Sequence, residues 1–149
     1  MALVTALRRL DTHDALESLR ALRRRQPVTY WAFYSNVGFV TADGVFRHPK
    51  FDHILSGCTS LRVLDLARAL VARGVITGVE VCDIPVTQAR RAREMALIGS
   101  SVKVAPIVAW DDVPIGDGTP GPITAALRAL LEEDMRAGDR LTDVPYARP

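Results

Sequence analysis

Lysine is scarce in this sequence: of nineteen basic residues among 149, only Lys50 and Lys103 are lysines and the other seventeen are arginines. We read that skew as genome composition and not as function, but it confines side-chain amine chemistry to two positions. Cysteine is scarcer than a disulfide scaffold or a zinc site needs. Cys58 and Cys82 lack metal-ligand spacing, so the expectation is two buried free thiols in a reducing compartment and no metal. No apolar run approaches the ~20 residues that span a bilayer. The start, MALVTALRRLDTHD, sets its arginines after a short apolar stretch, the wrong order for a secretory signal. Nor does one sign of charge dominate, the net charge being +2. Arg23, Arg24 and Arg25, and again Arg90, Arg91 and Arg93, cluster on expected helices or beside acids, which reads as solvated surface and not as a nucleic-acid patch. A soluble cytoplasmic chain is expected, with neither nucleic acid nor membrane as partner.

What the sequence does have is a core. Hydrophobic residues make up 48% of it, and a domain of this length buries roughly 68–70% of its unfolded surface. Thr12 or Asp14 caps an expected helix through ALESLRALRRR, which Pro27 ends. VTYWAF and NVGFVTADGVFRHP read as β-branched and aromatic strands, with Ala42-Asp43-Gly44 as a hairpin turn. TSLRVLDLARALVARG predicts an amphipathic helix with Leu61, Leu64, Leu66 and Leu70 on one side, stopped at Gly74. VEVCDIPVT predicts a strand. Thr87 then caps an expected helix, TQARRAREMALIG, ending at Gly99. KVAPIVAW is a further strand, followed by the turn-rich DDVPIGDGTPGP. Pro122 opens a last helix, closed by Gly138. The expected organisation is a helical segment over residues 1–26, one domain over 27–138, and an extended or disordered tail over 139–149.

Two segments combine small and hydroxylated residues: Ser56-Gly57-Cys58-Thr59-Ser60 and Gly99-Ser100-Ser101. The first opens a helix, where unpaired N–H groups and the positive dipole end favour an anion. The second places two hydroxyls near Lys103. The plainer alternative is that these are ordinary helix caps. His48 and His53 flank Lys50 and Asp52, and a histidine there is suited to acid–base work near neutral pH. We read His48 as scaffold and keep His53 as the open candidate. Cys58 at the helix start is a weaker candidate, for want of a base. Glu80 and Asp83 read as a solvated strand edge.

The order of motifs from Asn36 to Gly138 resembles the fold-type IV family, which includes branched-chain and D-amino-acid aminotransferases and aminodeoxychorismate lyase. SNVGFVTADGVFRHP looks like its asparagine-led strand and hairpin. ILSGCTSLRVLDLA resembles its ILxGITRxxVxxLA phosphate loop, EMALIGSSVKVAPIV its ExFxTGTxxxVxPV segment, and DDVPIGDGTPGPITAALRAL its closing glycine-rich loop and helix. The resemblance implies an α/β (α+β) single domain like the large C-terminal domain of those enzymes, a mixed sheet or pseudo-barrel with flanking helices. It implies that Gly57, Cys58 and Thr59 form the first phosphate-binding turn and that Ser100 and Ser101 form the second.

Three departures bear on chemistry. The family's Schiff-base lysine precedes the asparagine strand, whereas Lys50 and Lys103 both fall in other motifs. The family's glutamate at the pyridine nitrogen corresponds here to Trp31. Ser60 stands where the family usually has arginine. An amine is irreplaceable in forming an imine, so transamination by this chain alone is not expected. Tyr30, Trp31, Phe33 and Tyr34 either plug the emptied site or line an aromatic pocket for another small molecule, with Tyr30 and Lys103 as polar handles. The leading expectation is therefore a pyridoxal-phosphate-independent lyase, isomerase or cyclase, with His53, Tyr30 and Lys103 catalytic. In that reading Gly57, Cys58, Thr59, Ser100, Ser101 and Trp31 hold the ligand. A non-catalytic binding protein is one alternative. Half of a pyridoxal-phosphate (PLP) enzyme completed by a partner chain is the other, and PLP is expected only non-covalently or with that partner. A homodimer or heteromer is expected through the face that the family's smaller domain covers.

Overall fold

Residues 36–52 and 54–143 are described by the computed structural model. The expected helix before Pro27, the VTYWAF strand, His53 and residues 144–149 lie outside that set, and with them Tyr30 and Trp31. In chain order the elements are β1 (Asn36–Val40), β2 (Val45–Pro49), α1 (Cys58–Ala72), β3 (Gly78–Cys82) and α2 (Val86–Ala89). They continue with β4 (Glu94–Gly99), β5 (Lys103–Ile107), β6 (Ala109–Trp110), β7 (Val113–Pro114) and α3 (Pro122–Ala137).

The five longer strands form one mixed sheet in the order β3-β2-β1-β4-β5, and β6 and β7 pair separately. Only β2–β3 is parallel. The α1 crossover that joins them has the length a parallel connection needs. β1 is central and buried at every residue, yet its two faces differ, as period-2 side-chain alternation requires. Val40 packs with Phe46, Ala96 and Ile98 against Val63, Leu64 and Leu70 of α1 and Ile123, Leu127 and Leu131 of α3. Val37 and Phe39 face the other way, toward Met95, Ile107, Ile84, Ala89, Trp110 and Ile115.

The expected hairpin is present. Gly44 takes φ +85°, open to glycine without strain, and its N–H reaches the Thr41 carbonyl at 3.0 Å. α1 ends at the expected place, where Gly74 adopts φ +70°. Its buried face, however, is Ser60, Val63, Leu64, Ala67 and Leu70. Leu61 is instead 45% exposed, because it lies one position outside the i, i+3, i+4, i+7 row that meets the sheet.

Two further expectations are corrected. The predicted helix from Thr87 to Gly99 stops after Ala89, and Glu94–Gly99 is a strand between β1 and β5. Met95, Ala96 and Ile98 are buried, on both faces of the sheet. A strand covered on both sides reads as a continuous apolar run, which local pattern does not separate from a buried helix. Cys58, expected to be buried, is exposed, while Cys82 is partly buried, and both are free thiols. Cys58 occupies the first position of α1, ahead of the buried row, whereas burial pushes the Cys82 thiol up from its ordinary pKa. Glu80 and Asp83 sit at the open edge as expected, paired with Arg47 at 2.8 Å and Lys50 at 2.6 Å. Among the described residues no helix is long and apolar enough to cross a membrane.

Candidate functional site

β1 and β4 run antiparallel with Asn36 opposite Ile98, so the start of one and the end of the other share an edge of the sheet. The loop into α1 reaches the same edge. Residues 55–60, residues 98–100 and Asn36 together line a cavity of about 290 Å³. The two hydroxyl-rich segments, forty residues apart in the chain, thus meet around one space.

The opening of α1 gives that space its electrostatic character. Gly57 is the N-cap with extended backbone (φ −63°, ψ 136°), no side chain caps the helix end, and no acid lies in the first turn. The first amide N–H groups of a helix have no intrahelical acceptor, and a 15-residue helix presents the positive end of its dipole there. The Gly57 carbonyl is committed, accepting the Leu61 N–H at 3.0 Å. The described lining contains no Asp, Glu, Lys, Arg or His. An anion entering it meets backbone dipoles and the hydroxyls of Ser56, Thr59 and Ser100, with Cys58 the one ionisable neighbour.

Of the expected site residues, Gly57, Cys58, Thr59 and Ser100 line the cavity, and Ser101 does not. Ser101 is exposed in the turn between β4 and β5. Lys103 is also placed elsewhere: it takes φ +59°, and its amine donates to Glu132 Oε1 of α3 at 3.3 Å. Lys50 is likewise occupied, and the Asp83 carboxylate that accepts its hydrogen bond raises its pKa. Neither amine faces the cavity. Tyr30, Trp31 and His53 are outside the described residues. His48 is fully buried and stacked on Phe51 at 4.7 Å between ring centroids, with Nδ1 2.7 Å from the Pro49 carbonyl. Burial lowers its pKa, the Pro49 contact opposing. That is a scaffold histidine, as read from the sequence.

Sequence reasoning placed Ser60 in the hydroxyl-rich segment without counting it among the ligand-holding residues, and missed Asn36 as a lining residue. Asn36 served only to anchor a motif, although a polar side chain opening an otherwise apolar strand was a usable signal. Its amide nitrogen donates to the Leu55 carbonyl at 3.1 Å and to Ser60 Oγ at 2.7 Å.

Comparison with known proteins agrees with this geometry. The family profile described as Amino-transferase class IV matches residues 6–110. The chloroplastic D-amino-acid transaminase of Arabidopsis thaliana is 47% identical over 104 residues, covering 69% of this chain and 28% of that one. A D-alanine aminotransferase of Listeria monocytogenes is 29% identical over 132 residues, covering 89% of this chain and 43% of the relative. Among solved structures, the branched-chain aminotransferase of Thermobaculum terrenum (M3 mutant) superposes with a TM-score of 0.63 at 32% identity, over 71% of this chain and 33% of that one. A second branched-chain amino acid aminotransferase, complexed with N-(5'-phosphopyridoxyl)-L-glutamate, gives 0.65 at 29% identity, over 73% and 36%. The chain therefore spans less than half the length of each of these relatives. With its mixed sheet, its paired hydroxyl corners and a profile match over most of its length, the chain belongs to the amino-transferase class IV family.

Proposed function

We propose that this chain grips the phosphate group of a small molecule at the opening of α1 without bonding to the ligand covalently. The observation that carries the reading is the meeting of Thr59 and Ser100 around one cavity that includes the uncapped end of α1. Pyridoxal phosphate, which the resemblance implies, fits in part. Its phosphate end suits the hydroxyl and N–H donors, but neither lysine of this sequence lies at the cavity to bond its aldehyde. No step is derived through it. The proposed chemistry on the held ligand is cofactor-independent, of lyase, isomerase or cyclase type. His53 and Tyr30 are its proposed acid–base groups and Trp31 a proposed ligand-holding residue, all three lying outside the described residues.

A second reading has one specific observation in its favour, the 47% identity to the Arabidopsis thaliana D-amino-acid transaminase. In that reading this chain is the phosphate-holding half of a PLP site whose lysine comes from other polypeptide. Leu55, 71% exposed, and Leu61, 45% exposed, stand beside the cavity as apolar surface for a second chain or a second copy.

Calorimetric titration with pyridoxine 5'-phosphate, which has no aldehyde, and with pyridoxine, which has no phosphate, tests the first reading. The ester is expected to bind and the alcohol not. Thr59→Ala and Ser100→Ala should each weaken the ester about 10-fold or more, the size of one charge-assisted hydrogen bond. Equal binding of ester and alcohol, or unchanged binding by both variants, sinks it. Pyridoxal phosphate followed by borohydride and mass spectrometry separates the two: an adduct on a lysine of a co-purifying chain favours the second reading, and an adduct on Lys50 or Lys103 contradicts both.

A further inference from the structure

We infer that Asn36 is the positioning residue of the anion loop, acting through Leu55 and Ser60, and that the Asn36–Ser60 hydrogen bond sets the affinity of this site. The inference rests on the phosphate-holding function proposed above and names what shapes its cradle.

Asn36 is the first residue of the central strand and only 4% exposed, and Ser60 is 1% exposed. The orientation of the amide is settled by chemistry. The Leu55 carbonyl can only accept, so the Asn36 atom 3.1 Å away is the nitrogen. That nitrogen has two N–H groups, and both are used: one on Leu55, the other on Ser60 Oγ at 2.7 Å. The two anchor points bracket the lining turn. Between them lie Ser56, Gly57, Cys58 and Thr59, and among the described residues the side chains of Ser56, Cys58 and Thr59 make no hydrogen bond to the protein. The Leu55 carbonyl also accepts the Gly57 N–H at 2.9 Å, folding the loop tightly at Ser56. A Cβ placed on Gly57 would lie 3.5 Å from the Asn36 nitrogen, so the amide sits directly beneath the turn.

The loop is thus held at both ends by one side chain of a rigid strand, 19 and 24 residues away in sequence, while the side chains of Ser56, Cys58 and Thr59 between the two ties are left for a ligand. Precise aim of N–H donors is what anion binding requires, and side chains fixed on strands hold such aim better than loops do. Among the described residues the Asn36 Oδ1 is buried with no partner, so the hydrogen bonds that this side chain makes there run through its nitrogen. Here the donor half of the amide is what the fold retains.

A double-mutant cycle with Asn36→Ala, Ser60→Ala and the pair tests this, with pyridoxine 5'-phosphate as probe and urea unfolding run alongside. Each single substitution is expected to weaken the ester about 10-fold. The pair is expected to be no weaker than Asn36→Ala alone, since both changes cut the same tie, and Ser60→Thr, which keeps the hydroxyl, should restore binding. Hydrogen exchange should quicken at the Cys58–Leu61 amides before it does elsewhere. A merely structural role would lower urea resistance and leave the affinity of the folded fraction untouched. Wild-type affinity in a folded Ser60→Ala chain, or losses that simply add, overturns the inference while the phosphate site stands. If Asn36→Ala does not fold, the Ser60→Ala and Ser60→Thr comparison decides alone. Failure of the wild-type chain to distinguish ester from alcohol removes the underlying phosphate site instead, and this inference with it.

Discussion

Glu94 offers the sharpest test of how this fold is held. It opens β4, is 5% exposed, and points to the helix face of the sheet, where its two carboxylate oxygens accept the N–H groups of Ile123 at 3.1 Å and Thr124 at 2.7 Å. Those are the second and third residues of α3, whose N-cap, Gly121, has no side chain to offer. A strand residue therefore caps a helix that begins nearly thirty residues later. Hydrogen bonds to a charged group are worth about 1.5–3 kcal/mol each, and donors left buried without a partner lose their hydration as well. Glu94→Ala should destabilise the fold by about 3–5 kcal/mol, a large share of the 5–15 kcal/mol typical of a domain. Glu94→Gln keeps one good acceptor and should lose about half as much. Gly121→Ala should mimic the loss, because a Cβ there would sit 2.0 Å from the Glu94 carboxyl carbon. The glutamate side chain is flexible, but moving it breaks both bonds. With Glu94 already alanine, the same Gly121→Ala change has room and should add less than about 1 kcal/mol, a coupling of roughly 2 kcal/mol or more. Urea unfolding followed by tryptophan fluorescence measures all four corners of the cycle. Equal losses for Gly121→Ala in both backgrounds would refute the capping argument.

Three further outcomes follow from the placement of single residues. Lys103→Gly relieves a left-handed backbone that costs a side-chain-bearing residue roughly 1–2 kcal/mol. It should raise the thermal midpoint and leave pyridoxine 5'-phosphate binding unchanged, whereas weaker binding would return Lys103 to the site. Burial lowers the pKa of His48 from its ordinary 6.5, so the unfolded chain takes up its proton first. The stability this residue contributes is complete above about pH 6.5 and is lost as pH falls toward the folded value, a loss that His48→Phe should abolish in urea titrations at pH 7 and 5. Asp134, held below its usual 3.8 chiefly by the Arg62 hydrogen bond, contributes stability present above that value and lost as pH falls through the folded one. Arg62→Ala should shift acid unfolding, followed by circular dichroism, to higher pH, and an unmoved acid limb would show that this pair contributes nothing.

The sequence made some of this plain and concealed the rest for physical reasons. The β1–β2 hairpin and the two long helices were readable because their signals are local: Gly44 in a turn, Gly74 after an amphipathic run, Pro122 at a helix start. EMALIG was misread because Met, Ala and Leu favour helices, and only pairing with β1 and β5 overrides that preference. Thr59 and Ser100 were found together through the order of family motifs, and their meeting depends on the Asn36–Ile98 register, which no local pattern encodes. Lys103 was assigned to the site because it follows Ser100 and Ser101 closely. The tight turn between β4 and β5 instead swings its amine to Glu132. Cys58 was expected inside on the average habit of cysteine, and the start of a helix overrides that habit.

That exposed thiol has a practical consequence. Cys58 lines the cavity and is open to solvent, while the other cysteine, Cys82, is partly covered on a strand two places from the centre of the sheet. A thiol reagent applied to the native chain therefore modifies the rim of the cavity ahead of Cys82. The rate of that modification, slowed by whatever fills the space, becomes a gauge of occupancy that works for a ligand of any chemistry.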